Sequence, residues 1–225
     1  MSSPFQGIRL AAFDLDGTLV DSVGDLCHCL GEALESAGLP RPNEAQTRSW
    51  IGGGVELLIR RALHWSLGKP GDPIFDPVYG AFSACYRENL FVRSRLYPEV
   101  PETLAALRGR GLHLCCITNK QAGFAEGVLE QAGILGCFDL VLGGDSLPEK
   151  KPSALPLETA ARRLGAPSSA AVLVGDSERD FEAAQAAGWP FVWLTYGYPG
   201  EWTPPQSEAV AVLDRFAGLL PLLNV

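Results

Sequence analysis

The sequence predicts an α/β protein: a Rossmann-like parallel sheet with helices on both faces, carrying an inserted all-helical domain after its first strand. An apolar run, Ile8 to Phe13, halts at two carboxylates, Asp14 and Asp16, with Gly17 and Thr18 directly behind them. Residues 22–93 keep helical spacing and show no strand pattern, whereas from Tyr97 onward short apolar runs alternate with helical ones. A short apolar run bounded by turn residues suits a parallel strand covered on both faces. Strand–helix alternation implies right-handed crossovers in one sheet. The 225 residues, 47% of them hydrophobic, can bury a large core. The expected division is an α/β core from 1–21 and 94–225, and a helical domain from 22–93.

The elements follow in order. Residues 21–38 place Val23, Leu26, Leu30, Ala33, Leu34 and Ala37 on one helical face behind a Ser22-x-x-Asp25 start, and Gly38 and Pro40 stop the helix. Helices are expected at 43–49, 55–67 and, beyond a Pro-Gly-Asp-Pro break, 76–91. The alternation then gives helix 101–110, strand 112–117, helix 121–132 and strand 138–142, followed by helix 153–164, strand 171–174, helix 178–187 and strand 191–194. The Pro- and Gly-rich stretch 196–206 reads as loop and 213–219 as a last helix.

A net charge of -8 argues against a nucleic-acid partner, because phosphate backbones are met by clustered Lys and Arg that are missing here. A small anion held by a few local cations is still compatible. No basic start with an apolar core precedes the first strand, and no run approaches the ~18 apolar residues of a spanning helix, so neither secretion nor a membrane is expected. The six cysteines lack C-x2-C pairing, and Cys115 with Cys116 falls inside a strand, which suits reduced thiols in a cytoplasmic monomer or homodimer.

Parallel strands share a carboxyl-end edge, where open α/β sheets bind ligands. That edge collects Asp14 and Asp16 from the first strand, Thr118 and Asn119 from the second, Lys151 from the loop after the third, and Asp176 and Asp180 from the fourth. Carboxylates crowded to ~4 Å repel by about 1 kcal/mol per pair in water, and more in a cleft, so a cation is required. An oxygen-only donor set, free of Cys and His, favours Mg²⁺.

The pattern Asp14-x-Asp16-Gly17-Thr18, Thr118-Asn119, Lys151-Pro152 and Gly175-Asp176-Ser177-x-x-Asp180 resembles the haloacid dehalogenase superfamily of phosphohydrolases. TRSWIGGGVELL, TNK, GGDSLPEKKP and LTYGY are similar to its bacterial phosphoglycolate phosphatases. The resemblance implies that Asp14 attacks phosphorus to form an aspartyl-phosphate, with Asp16 as general acid and then base. It implies Mg²⁺ held by Asp14, Asp176 and the carbonyl of Asp16, with Asp180 behind them steadying the ion or its waters. Thr118, the N–H of Asn119 and Lys151 would hold the phosphoryl oxygens, Lys151 rather than Lys150 because the family's lysine directly precedes the proline. Ser153 stands where relatives often have His.

The helical insert resembles the superfamily's cap, which would close over the site, with Gly52, Gly53 and Gly54 reaching down and Arg48 as a candidate ligand for a substrate carboxylate. The implied reaction is hydrolysis of 2-phosphoglycolate, a small phosphorylated metabolite. Alternatives are a phosphatase of a sugar or amino-sugar phosphate, a sugar phosphomutase, and a non-catalytic phosphate-binding regulator. The three glycines form neither a Walker loop nor a dinucleotide fingerprint, His28, His64 and His113 have no metal spacing, and no G-x-S-x-G elbow supports serine hydrolysis.

Overall fold

The computed structural model describes residues 4–207 and 209–223. The expectation of no secretory leader draws partly on residues 1–3, which lie outside them. The first strand, β1 (Leu10–Phe13), is buried on both sides. Ala11 and Phe13 join one core cluster, and Leu10 and Ala12 the other. Successive strand residues point to opposite faces, so a strand sandwiched between helix layers reads as an unbroken apolar run.

Two very short strands, β2 (Val20–Asp21) and β3 (Arg95–Leu96), pair antiparallel where the chain leaves the sheet region and returns to it. Between them lie α1 (Val23–Ser36), α2 (Glu44–Trp50), α3 (Val55–Leu67) and α4 (Asp72–Glu88). No strand is assigned among residues 22–93. In this layer α1 packs along α4, and α2 and α3 close against them. Asn43 caps α2 reciprocally with Gln46.

The remaining strands are β4 (His113–Ile117), β5 (Leu140–Leu142), β6 (Ala171–Gly175), β7 (Phe191–Leu194) and β8 (Val210–Leu213). They complete a parallel sheet in the order β5-β4-β1-β6-β7-β8. Phe13 is level with Cys116 on one side and Val174 on the other, so the chain leaves all three central strands at the same edge. Of the crossover helices, α5 (Val100–Gly109) and α6 (Ala122–Gln131) send Leu104, Leu107, Val128 and Leu129 into the cluster on one face. α7 (Leu155–Leu164) and α8 (Glu178–Ala187) send Leu157, Ala160, Ala183 and Ala184 into the other.

Three expectations need correction. Ser22 makes no side-chain cap at α1, and Asp25 turns away from it. This buried carboxylate instead accepts hydrogen bonds from the backbone N–H groups of Val92, Arg93 and Ser94 and from Ser94 Oγ, tying α1 to the chain returning toward the sheet. The fourth helix runs from Asp72 to Glu88 rather than over 76–91: Pro73 stands in the first turn and forfeits no hydrogen bond, and Pro77, inside the helix, lacks an N–H without ending it. The tail expected as a helix over 213–219 is instead β8, a 3₁₀ turn (Phe216–Gly218) and a short α9 (Leu219–Leu222). Pairing of Phe191 with Val210 through Leu194 with Leu213 makes β8 the sheet edge.

Candidate active site

Asp14 is the first residue past β1, and its N–H still extends the ladder to Val174 O at 3.0 Å. Lys151 Nζ lies between two carboxylates, 2.9 Å from Asp14 Oδ1 and 2.6 Å from Asp180 Oδ1. The start of α8 positions Asp180: its Oδ2 accepts hydrogen bonds from Ser177 N and Ser177 Oγ, a reciprocal cap. Asp176 Oδ1 accepts from Thr18 Oγ1 at 2.7 Å and Oδ2 from Tyr198 N at 2.6 Å. Two glycines leave room for that carboxylate. A Cβ on Gly17 (φ +91°) would stand 2.2 Å from Asp176 Oδ2, and one on Gly197 2.3 Å from Asp176 Cβ.

Burial and mutual repulsion oppose the charge here. Burial pushes the Asp14 carboxyl up to about 6 against the pull of the Lys151 ammonium. Burial, together with the charges of Asp14 and Asp180, holds Asp176 well above the usual carboxylate range. Lys151 is also buried, but the two facing carboxylates outweigh that cost and keep its ammonium above its ordinary value. Asp14, Asp176 and Asp180 each present an oxygen within 4.8 Å of the others. Asp14 Oδ1 is buried and makes no aligned hydrogen bond despite its ion pair with Lys151. Both oxygens of Asp180 are engaged by Lys151 and Ser177, and both of Asp176 by Thr18 and Tyr198, which leaves Asp14 the freest of the three. Such an oxygen-only, charge-crowded set fits a hard divalent cation.

Asp14 and Asp16 border a cavity of about 40 Å³, with Thr118, Asn119 and Lys120 beside them and Leu58, Phe82 and Phe124 among its apolar lining. Gly52 and Gly54 form part of its wall. Asn119 Nδ2 donates to Gly52 O at 3.2 Å and Lys150 Nζ to Gly53 O at 3.1 Å, so the glycine loop is fastened to the sheet edge. Lys120 Nζ lies 2.8 Å from both oxygens of Asp16 and 5.0 Å from the Tyr86 ring centroid. Burial disfavours its charge, yet Asp16 more than compensates and holds it above the ordinary lysine value.

Over residues 11–194 the sequence matches the family of haloacid dehalogenase-like hydrolases. The chain belongs to that family. It is 42% identical over 217 residues to a phosphoglycolate phosphatase of Nitrosococcus oceani, covering 96% of each chain. It is 40% identical to one of Yersinia pseudotuberculosis, covering 98% of this chain and 95% of that one. A crystal structure described as a predicted phosphoglycolate phosphatase from Haemophilus somnus superposes with a TM-score of 0.90 at 37% identity, over 97% of this chain and 99% of the other.

In this haloacid dehalogenase-like hydrolase the fold gathers Asp14, Lys151, Asp176 and Asp180 into one contact network. Asp16, Thr118 and Asn119 border the same cavity as Asp14. Arg48 lies elsewhere: its Nη2 is 3.5 Å from Asp21 Oδ1 and its guanidinium stacks 4.7 Å from the Tyr198 ring centroid, away from the cavity wall. Lys120 entered the sequence reading only as the last residue of the TNK motif, with no role of its own. A lysine at a helix start reads as a solvated charge, and its place two residues past Thr118 at a strand end was the signal available. Ser153 Oγ accepts from Leu155 N at the start of α7.

Proposed function

We propose that the protein is an Mg²⁺-dependent phosphomonoesterase that hydrolyses 2-phosphoglycolate to glycolate and phosphate through an aspartyl-phosphate on Asp14. The observation that carries this reading is the Asp14 carboxylate itself, buried beside the cavity with one oxygen next to Lys151 but in no aligned hydrogen bond. Similarity of about 40% to phosphoglycolate phosphatases over nearly the whole chain supports the substrate.

An Asp14 oxygen attacks phosphorus while the bond from phosphorus to the glycolate oxygen breaks, and Asp16 gives that leaving oxygen its proton. Asp16 then takes a proton from water as the water oxygen attacks phosphorus, phosphate departs and the Asp14 carboxylate is restored. Lys151, Thr118 and the N–H of Asn119 hold the phosphoryl oxygens as charge moves across them. Mg²⁺ held by Asp14, Asp176 and the Asp16 carbonyl would neutralise the crowded carboxylates and draw charge from the phosphoryl group. Asp180 keeps Lys151 in place.

The substrate carboxylate needs a cation, and among the described residues lining the cavity that cation is Lys120, so we assign the contact to Lys120 in preference to Arg48. Lys120 now grips Asp16; a carboxylate drawing it away would free Asp16 to carry the proton it must deliver. Residues 22–93 act as the cap, entering and leaving through β2 and β3 and closing over the substrate with the loop 52–54.

A phosphate-release assay with Mg²⁺ across 2-phosphoglycolate, hexose phosphates and amino-sugar phosphates tests the assignment. The expected outcome is the highest kcat/KM for 2-phosphoglycolate; a faster sugar phosphate would move the substrate, and no release from any would sink the enzymatic reading.

A further inference from the structure

Tyr198, in the loop after β7, touches both the acidic cluster and the root of the helical insert. Its backbone N–H donates to Asp176 Oδ2 at 2.6 Å. Its hydroxyl accepts from Ser22 N at 2.8 Å and Val23 N at 3.2 Å, and donates to Asp21 Oδ1. The first N–H groups of a helix have no partner within it. Ser22 makes no side-chain cap at α1, so the Tyr198 hydroxyl serves as its N-cap from far along the chain. Asp21 belongs to β2, one of the two short strands through which the chain enters and leaves the insert, and Arg48 of the insert lies against the same tyrosine and the same aspartate. The other donor to Asp176 is held from the same loop: Tyr196 Oη donates to Thr18 O at 2.9 Å, and Thr18 Oγ1 donates to Asp176 Oδ1.

We propose that Tyr198 is a positioning residue that couples the hinge of the cap to Asp176, its hydroxyl fixing residues 21–23 while its amide fixes the carboxylate. The orientation of the cap and the presentation of Asp176 to a cation are then set by one side chain. This rests on the metal-dependent reading above, but assigns a role to a residue that neither binds substrate nor takes part in proton transfer. A hinge that shifts withdraws the Tyr198 amide from Asp176, and a carboxylate that loses its partner reaches back through the same ring to the start of α1.

Tyr198→Phe removes the hydroxyl and leaves ring and amide intact. Two readouts are taken on the full chain: amide hydrogen exchange over residues 21–26, and Mg²⁺ affinity by calorimetry without substrate. The expected result is faster exchange at the start of α1 together with Mg²⁺ binding weakened by about tenfold, the lower end for loss of a group that orients a metal ligand. Asp21→Ala, which removes one of the three hydroxyl contacts and spares the α1 cap, keeps the test open if the phenylalanine variant misfolds; it should move both readouts the same way by less. Faster exchange with unchanged Mg²⁺ affinity would make the hydroxyl a helix cap only and overturn the coupling, as would weakened Mg²⁺ binding with unchanged exchange. Wild-type protein that takes up no Mg²⁺ would instead bring down the metal-dependent reading, and the coupling with it.

Discussion

Asp14 concentrates the conflict between stability and chemistry. Its carboxyl is raised from 3.8 to about 6 by burial, so in the metal-free protein it favours folding fully below pH 3.8 and loses that contribution as pH rises through about 6. A shift of about 2 units corresponds to about 3 kcal/mol at most, since each unit is ~1.36 kcal/mol. Asp14→Asn should therefore abolish phosphate release, because an amide cannot attack phosphorus, and yet raise the melting temperature of chelator-treated protein at pH 7.5. Lys151 keeps Asp180 as its partner in the variant, so the gain should survive as a few degrees and shrink toward pH 4. A variant melting below wild type at pH 7.5 in chelator would show that Asp14 is needed to neutralise Lys151 more than it suffers from burial. Lys120→Met tests the other cation: kcat/KM for 2-phosphoglycolate should fall by at least ~10-fold more than for p-nitrophenyl phosphate, which has no carboxylate to place. Equal losses on both would assign Lys120 to holding Asp16 alone. Asp14, Asp176 and Asp180 were legible because each stands in or just beyond an acidic turn that halts an apolar run. Lys120 was not, because what gives it meaning is Asp16, 104 positions away.

Among the elements, those with a sustained period were read closely. The spacing over 55–67 and 178–187 matches α3 and α8 residue for residue, and 191–194 matches β7. β2 and β3 escaped because two-residue strands carry no period, and β8 because a half-exposed edge strand gives four apolar residues that read equally well as a helix start. Asp25 was misread for a related reason. Its position fits a capping box, but burial put a better set of donors, the returning 92–94 segment, within reach. The consequence is measurable. Asp25→Ala strands the N–H groups of Val92, Arg93 and Ser94, at a cost of about 3 kcal/mol, and should lower the melting temperature by about 6–12 °C for a chain of this size. Calorimetry of the variant checks it, and a loss under ~2 °C would mean that the return of the chain to the sheet is held by β2–β3 pairing instead.

At the scale of the whole molecule, a chain of net charge -8 is expected to take an anion into a cavity walled partly by carboxylates. The local balance makes this possible: Lys151 and Lys120 each sit against carboxylates, and a divalent cation would offset the remaining excess of negative charge at Asp14 and Asp176. The sequence showed the excess through the strand-end pattern, but not that the loop 52–54 is fastened over it, which depends on contacts between segments about 70 to 100 positions apart. If the cation is Mg²⁺, it binds the folded protein and not the unfolded chain, whose carboxylates are dispersed. At ~100 times its dissociation constant it should then stabilise the fold by about 2.7 kcal/mol, raising the melting temperature by about 5–11 °C. Chelation should reverse the rise and stop phosphate release together. Asp176→Ala separates a specific site from general screening of negative charge: with the carboxylate gone the Mg²⁺-dependent rise should vanish, whereas screening would survive one lost charge almost unchanged. A rise that persists in that variant, or that equal ionic strength of NaCl reproduces in wild type, would remove Asp176 from the metal site and leave the crowded edge without the ion that its chemistry demands.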